Sequence, residues 1–176
     1  SSGVAIQYGT QANAGELDGI VIDCRGLAAR DIHPDLRGVK GETVVVETSE
    51  VSLTRPVRLI HPRWPLYVIP REDNLFMLGA TSIESEDTGV SVRSALELLG
   101  AAYAVHPAFA EARILEFGSG LRPAFPDNLP RIAIDKKHVT VNGLYRHGFL
   151  IAPALAELTL NYVERGQIDN EVMRCV

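Results

Sequence analysis

The sequence predicts an α+β protein, or a piece of a mixed α/β one, built from many short strands and two clear helices. Three observations carry this. Between residues 43 and 80, four β-branched or apolar runs follow one another with links too short for crossover helices, so the strands they form pair antiparallel. Two stretches hold the three-and-four spacing of an amphipathic helix. Of the 176 residues, 46% are hydrophobic and 22% charged, a balance that excludes a disordered or fibrous chain.

The elements follow in order. Val4-Ala5-Ile6-Gln7-Tyr8 alternates like a strand and ends at Gly9. Residues 19–24 form an apolar run suited to a strand buried on both faces. Residues 43–48 are rich in valine and threonine and read as the next strand. Runs at 57–60, 66–69 and 75–80 follow, separated by proline, charged and asparagine punctuation. The first helix covers 92–106, with Val92, Ala95, Leu96, Leu99 and Tyr103 as its predicted buried face, and Pro107 stops it. Strand character returns at 114–121 and 139–145. The last helix is predicted to start near Pro153, to bury Leu155, Leu158, Tyr162 and Val163, and to end at Gly166.

Several function classes are disfavoured at once. A net charge of -5 argues against a nucleic-acid surface. No apolar run reaches the roughly 18 residues of a membrane span. The opening Ser1-Ser2-Gly3-Val4-Ala5 has neither the basic flank nor the apolar stretch of a secretory signal. The expectation is a cytoplasmic protein in which Cys24 and Cys175 are free thiols, a single long-range disulfide being the alternative. The histidines and acids show no metal-ligand spacing, so no metal is expected. Neither G-x-S-x-G nor G-x-G-x-x-G occurs.

Three segments can carry chemistry. In Phe117-Gly118-Ser119-Gly120-Leu121-Arg122-Pro123, an extended chain puts Gly118, Gly120 and Arg122 on one face. Two glycines then clear space before a guanidinium suited to bidentate capture of a carboxylate. A surface arginine after a β-bulge is the plainer reading. The second segment, Leu144, Tyr145, Arg146, His147, Gly148, Phe149 and Leu150, leads into the final helix. Residues 149–152 offer no Ser, Thr, Asp or Asn cap, so the helix's first N–H groups need another acceptor, be it water, a loop or an anionic ligand. The third is Pro65-Leu66-Tyr67-Val68-Ile69-Pro70-Arg71, where Tyr67 is either a core residue or a hydroxyl offered to a pocket.

Taken in order, six segments resemble one family over nearly the whole chain. They are Ile20-Val21-Ile22-Asp23-Cys24-Arg25-Gly26, Val39-Lys40-Gly41-Glu42, Tyr67-Val68-Ile69-Pro70-Arg71, Leu78-Gly79-Ala80-Thr81, Gly120-Leu121-Arg122-Pro123, and Gly143 through Ala154. The chain is similar to the FAD-dependent D-amino-acid oxidases, and among them to the glycine oxidases of thiamine biosynthesis. The resemblance implies a large antiparallel-sheet substrate domain, residues 27–137, between two parts of an FAD-binding α/β domain, 1–26 and 138–176. It implies a carboxy-terminal fragment, because the family's amino-terminal G-x-G-x-x-G is missing.

It also implies roles. Arg122 matches the arginine that pairs with the substrate carboxylate, Tyr67 a tyrosine lining the substrate pocket, and Arg146 a position whose carbonyl accepts from the substrate amine. Leu144, Tyr145, Arg146, His147, Gly148, Phe149 and Leu150 match the stretch along the flavin ring. No catalytic side chain is assigned. The implied partners are a small amino acid and molecular oxygen, with FAD as cofactor and a homo-oligomer allowed. The implied reaction is oxidative deamination to imino or oxo acid, ammonia and hydrogen peroxide, the fragment being inactive alone; a related sarcosine or amine oxidase, a dehydrogenase, or a non-catalytic binding fragment is the alternative. Two departures leave substrate preference open: Arg25-Gly26 stands where many relatives have a small residue before the glycine, and Ser82 follows Thr81 where a larger apolar residue lines the pocket of a glycine oxidase.

Overall fold

The computed structural model describes residues 3–63, 65–169 and 171–175. Its elements are β1 (Val21–Asp23), β2 (Arg37–Glu47), β3 (Val57–Leu59), β4 (Leu66–Pro70), β5 (Leu75–Gly79), α1 (Val92–Val105), β6 (Arg113–Ala124), β7 (Arg131–Asp135), β8 (His138–Asn142), α2 (Gly148–Arg165) and β9 (Met173–Cys175), joined by 3-10 turns and loops. The chain is α+β, and it divides into two compact units: Arg37–Pro123, and Ser1–Leu36 together with Ala124–Val176.

The unit Arg37–Pro123 is a five-stranded sheet in the order β3-β4-β5-β2-β6. β3, β4, β5 and β2 pair antiparallel in sequence-adjacent hairpins and one longer return. The β4–β5 hairpin turns through Asp73 and Asn74, both at φ 58, with the Leu75 N–H donating to the Glu72 carbonyl; Asp and Asn tolerate this left-handed geometry better than most residues. One face of the sheet buries Val44, Val46, Leu66, Val68, Phe76 and Leu78 against Leu98, Ala101 and Ala102 of α1. Each such Val, Leu or Phe contributes about 1.5–3 kcal/mol when fully buried. After α1, Pro107 opens a 3-10 turn whose Phe109 meets Phe76 edge-on, 5.3 Å between ring centres.

The predicted face of α1 is the wrong one. Val92, Leu96 and Tyr103 are exposed, and only Leu99 of the predicted stripe packs on the core. The helix carries apolar residues on two faces, and periodicity cannot rank them. The sheet selects the face with Ala101 and Ala102, whose small side chains let the helix lie close. Ser94 faces inward because its hydroxyl and N–H are paired with Ser91 at the helix N-cap.

The second unit is a four-stranded mixed sheet in the order β1-β8-β7-β9. β1 runs parallel to β8, β8 antiparallel to β7, and β7 parallel to β9. Helix α2 lays Leu155 on Ile132, Ile134, Val139 and Met173, flanked by Ile151, Leu158 and Tyr162; Val163 is half-buried outside this cluster. Gly166, at φ 67, ends α2 as the sequence suggests. The helix starts at Gly148, five residues before the expected Pro153, which lies inside it and removes one bond, to the Phe149 carbonyl.

Other expectations change. Residues 4–8 form no strand: Val4, Ile6 and Tyr8 are all exposed, and alternation without a hydrogen-bonding neighbour does not make a strand. β1 is not buried on both faces, since Ile22 is exposed. β7 and β9 were not anticipated. The compact units part at Leu36 and Arg37 and at Pro123 and Ala124. Within the second unit β7 pairs along its length with β8, and Arg131 binds Asp35 at 2.8 Å and Asp127 at 3.2 Å. Among the described residues, no helix is long and apolar enough to cross a membrane, and no group of three or more His, Cys, Asp or Glu is placed to hold a metal ion. Cys24 is a free, exposed thiol; burial and then Asp23 push its pKa up. The Cys175 side chain lies outside the described part, so the disulfide alternative does too.

Candidate functional site

In the unit Arg37–Pro123 the second face of the sheet lies opposite the one that packs on α1. Tyr67, Gly79 and Thr43 are directly opposite one another across β4, β5 and β2, so they share this face. A Cβ placed on Gly118 would come 3.0 Å from Thr43 Oγ1, which puts Gly118, and with it Gly120 and Arg122, on the same face. Gly41, two residues from Thr43, lies directly beneath the Arg122 guanidinium. A Cβ there would fall inside that group. Glycines at 41, 79, 118 and 120 thus leave this face with few side chains between Tyr67 and Arg122, and the Thr43 side chain lies over Gly79 and Gly118. Tyr67 is 37% exposed and lies under Arg58, whose guanidinium carbon is 5.2 Å from the ring centre. Arg122 is half-buried, and its Nη1 donates to the Thr81 carbonyl at 3.1 Å.

Behind this face lies a buried polar network. Glu42 is fully buried, and its neighbours satisfy it. Oε2 accepts from the Thr81 hydroxyl (3.1 Å), and Oε1 accepts from the Ser91 N–H (3.2 Å) and pairs with Lys40 Nζ (3.1 Å). The Glu42 N–H donates to Thr81 Oγ1 at 2.9 Å, and the Thr81 N–H donates to the Glu42 carbonyl at 3.2 Å. Lys40, also buried, spends its other protons on Asp87 (2.8 Å) and the Gly89 carbonyl (2.8 Å). Burial opposes the charge on Glu42, but hydrogen bonds from Ser94, Lys40, Ser91 and Thr81 outweigh it and hold the carboxyl below its ordinary value. The bond from Lys40 brings Asp87 down to about 2, and Asp87 in turn raises Lys40.

In the other unit, the approach to α2 is held from below. Phe125 is fully buried and lies against Gly143, where a Cβ would overlap its ring and where φ is 76. Arg131 stacks on Phe125, 4.1 Å from the ring centre, and His33 meets its edge while bonding Thr140 Oγ1 at 2.6 Å. Asn142 clamps the same corner, donating to the Gly26 carbonyl (2.8 Å) and accepting from the Gly143 N–H (2.8 Å). Tyr145, at φ 49, then turns the chain, and the His147 N–H closes onto the Leu144 carbonyl at 3.1 Å. His147 occupies the N-cap with no side-chain bond to the helix. Phe149 and Leu150, in the first turn, are exposed, as are Arg146 and His147. A helix start that leaves its first N–H groups without a side-chain cap, beside bare apolar surface, suits a flat ring with an electron-rich edge.

Tyr67 and Arg122 therefore stand on one sheet face, while Leu144, Tyr145, Arg146, His147, Gly148, Phe149 and Leu150 form one continuous helix approach in the other unit. Sequence reasoning did not assign Gly41, Thr43, Gly79 or Thr81 to the site. A signal existed: Val39-Lys40-Gly41-Glu42 and Leu78-Gly79-Ala80-Thr81 were among the segments carrying the resemblance, but nothing in a single strand reveals what lies across the sheet from it.

Residues 2–161 match the family model DAO, FAD dependent oxidoreductase. A Rhizobium etli protein named as a thiamine biosynthesis oxidoreductase, ThiO, is 61% identical over 137 residues, covering 77% of this chain and 42% of that protein. A glycine oxidase of Geobacillus kaustophilus is 31% identical over 134 residues, 72% of this chain and 34% of that protein. A crystal structure of glycine oxidase from the same organism superposes with a TM-score of 0.72 at 26% identity, covering 85% of this chain and 42% of that one. The iminodiacetate oxidase of Chelativorans sp. BNC1 shares the fold, with a TM-score of 0.73 at 23% identity over 89% of this chain and 46% of that one. The chain thus spans less than half the length of these relatives.

Proposed function

The chain belongs to the DAO family of FAD-dependent oxidoreductases, and from that premise we propose that the whole protein oxidatively deaminates glycine or another small amino acid, with oxygen as electron acceptor. The observation that carries this is Arg122: a guanidinium lying over Gly41, tied to the Thr81 carbonyl, on a sheet face that carries glycine at 41, 79, 118 and 120. A planar guanidinium pairs with a carboxylate through two parallel bonds. It fixes the orientation of the acid and leaves the α-carbon to be presented for reaction. Tyr67 lines the same face. The Arg146 carbonyl is assigned to the substrate amine.

Leu144, Tyr145, Arg146, His147, Gly148, Phe149 and Leu150 are the residues assigned to hold the flavin ring. The uncapped start of α2 fits its N1–O2 edge, and the bare Phe149 and Leu150 fit apolar ring surface. When bound, FAD supplies hydride acceptance and passage of the electrons to oxygen. The chain's own part is to bind, orient and exclude water; no side chain is assigned as a general base, and removal of a hydride from the α-carbon of a neutral amine requires none. The similarity to ThiO supports a place for this activity in thiamine biosynthesis.

The test is steady-state oxygen uptake by the whole protein with glycine and N-methylglycine, for wild type and Arg122→Ala. Loss of a charge-assisted pair weakens substrate binding by about 1.5–3 kcal/mol, roughly ten- to a hundredfold in KM. Unchanged kinetics in Arg122→Ala would remove the carboxylate assignment.

A further inference from the structure

The Arg122 clamp is held from behind by groups that never reach the open face. Arg122 Nη1 donates to the carbonyl of Thr81. Thr81 is in turn fastened to Glu42 three times: N–H to carbonyl at 3.2 Å, N–H of Glu42 to the Thr81 hydroxyl at 2.9 Å, and that hydroxyl to Oε2 at 3.1 Å. The hydroxyl both accepts and donates, so its orientation is fixed. Oε1 of Glu42 takes the Ser91 N–H at the start of α1, and the Lys40 ammonium braces the same oxygen. A fully buried, ionised carboxylate is costly unless every lone pair is used. Here its partners join β2, the strand-like segment after β5, and the helix cap into one rigid corner. The corner ends at the carbonyl that aims the guanidinium.

We propose that Glu42 and Thr81 are positioning residues for the substrate carboxylate: they fix the Thr81 carbonyl, and through it the plane of the Arg122 guanidinium. This rests on the reading of Arg122 as the carboxylate clamp. The pair sets affinity for the acid group by its aim and makes no contact with substrate. A buried polar corner with no such task would be equally served by an apolar pair of the same shape, and replacing it would change stability alone.

The experiment is a set of mutant cycles in the whole protein: Thr81→Val, Thr81→Ser and Glu42→Gln, each alone and combined with Arg122→Ala. Glycine KM and kcat come from oxygen uptake, the Kd of acetate from calorimetry, and folding from thermal melting. Thr81→Val should raise both glycine KM and acetate Kd by about three- to tenfold, the worth of one hydrogen bond, with a smaller change in kcat. Thr81→Ser keeps the hydroxyl and should restore both. In the Arg122→Ala background, Thr81→Val and Glu42→Gln should change neither constant further, because the group they aim is gone. Fold-changes that multiply in the double mutants, or a Thr81→Val protein that melts earlier yet binds acetate like wild type, overturn the proposal. If Glu42→Gln does not fold, the Thr81 cycle still decides. If Arg122→Ala itself leaves KM and Kd unchanged, the clamp reading has failed, a result distinct from an effective clamp that ignores Thr81.

Discussion

Gly41 gives the sharpest test of the sheet face, because its role is purely one of space. It sits in β2 with no need of left-handed geometry, so Gly41→Ala costs the backbone nothing. The added methyl, however, would lie inside the Arg122 guanidinium. Carbon–nitrogen contacts settle near 3.5 Å, so the guanidinium must lift by roughly 1 Å. The 3.1 Å bond to the Thr81 carbonyl then stretches past hydrogen-bonding range. Overpacking a closed core costs about 1–3 kcal/mol, and because Arg122 is only half-buried the cost to the fold should not exceed that range. On the proposed role of Arg122, aim is lost in contrast: a 1 Å error in such a clamp should forfeit about 1.5–3 kcal/mol, or roughly ten- to a hundredfold in KM. The assay is glycine-dependent oxygen uptake by the whole protein, with flavin content measured by absorbance and folding by thermal melting. A Gly41→Ala enzyme with wild-type KM would refute the argument, as it would show that the guanidinium does not need the floor on which it lies.

Three further outcomes are expected. Gly143→Ala should destabilise the chain by about 1–3 kcal/mol in urea titration, since the new methyl meets both a φ of 76 and the buried Phe125 ring; a loss below about 0.5 kcal/mol would contradict the packing described. The Asp87 carboxyl, held from 3.8 to about 2 by Lys40 and Ser85, contributes stability that is present above its unfolded value and lost as pH falls through the folded one. The melting-temperature gap between wild type and Asp87→Asn should therefore close as pH drops from about 4 to about 2, and a gap that stays constant over that range would show the pairing to be inert. Finally, the purified 176-residue chain should carry little flavin, because no G-x-G-x-x-G loop is present to seat the pyrophosphate; stoichiometric flavin absorbance without a second polypeptide would disprove this.

What the sequence determined by itself is whatever depends on neighbours along the chain. The strand run from 57 to 80 was legible because its apolar runs are separated by proline, charged and asparagine residues with links too short for crossover helices. The shared face of Gly118, Gly120 and Arg122 was legible because a strand repeats every two residues. The missing cap of the last helix was legible only in part: the sequence sought it at 149–152, whereas the N-cap is His147, which also makes no side-chain bond to the helix. The tertiary structure decided everything that depends on contact across elements. It chose which of two apolar faces α1 buries, denied residues 4–8 the partner a strand requires, and drew β7 into the sheet of β1 and β8. It also placed Gly41 under Arg122 and tied Thr81 to Glu42, 39 residues away in the chain. Periodicity records how a side chain is directed from its own backbone; what stands opposite is set by register and packing, and these exist only once the sheet has formed.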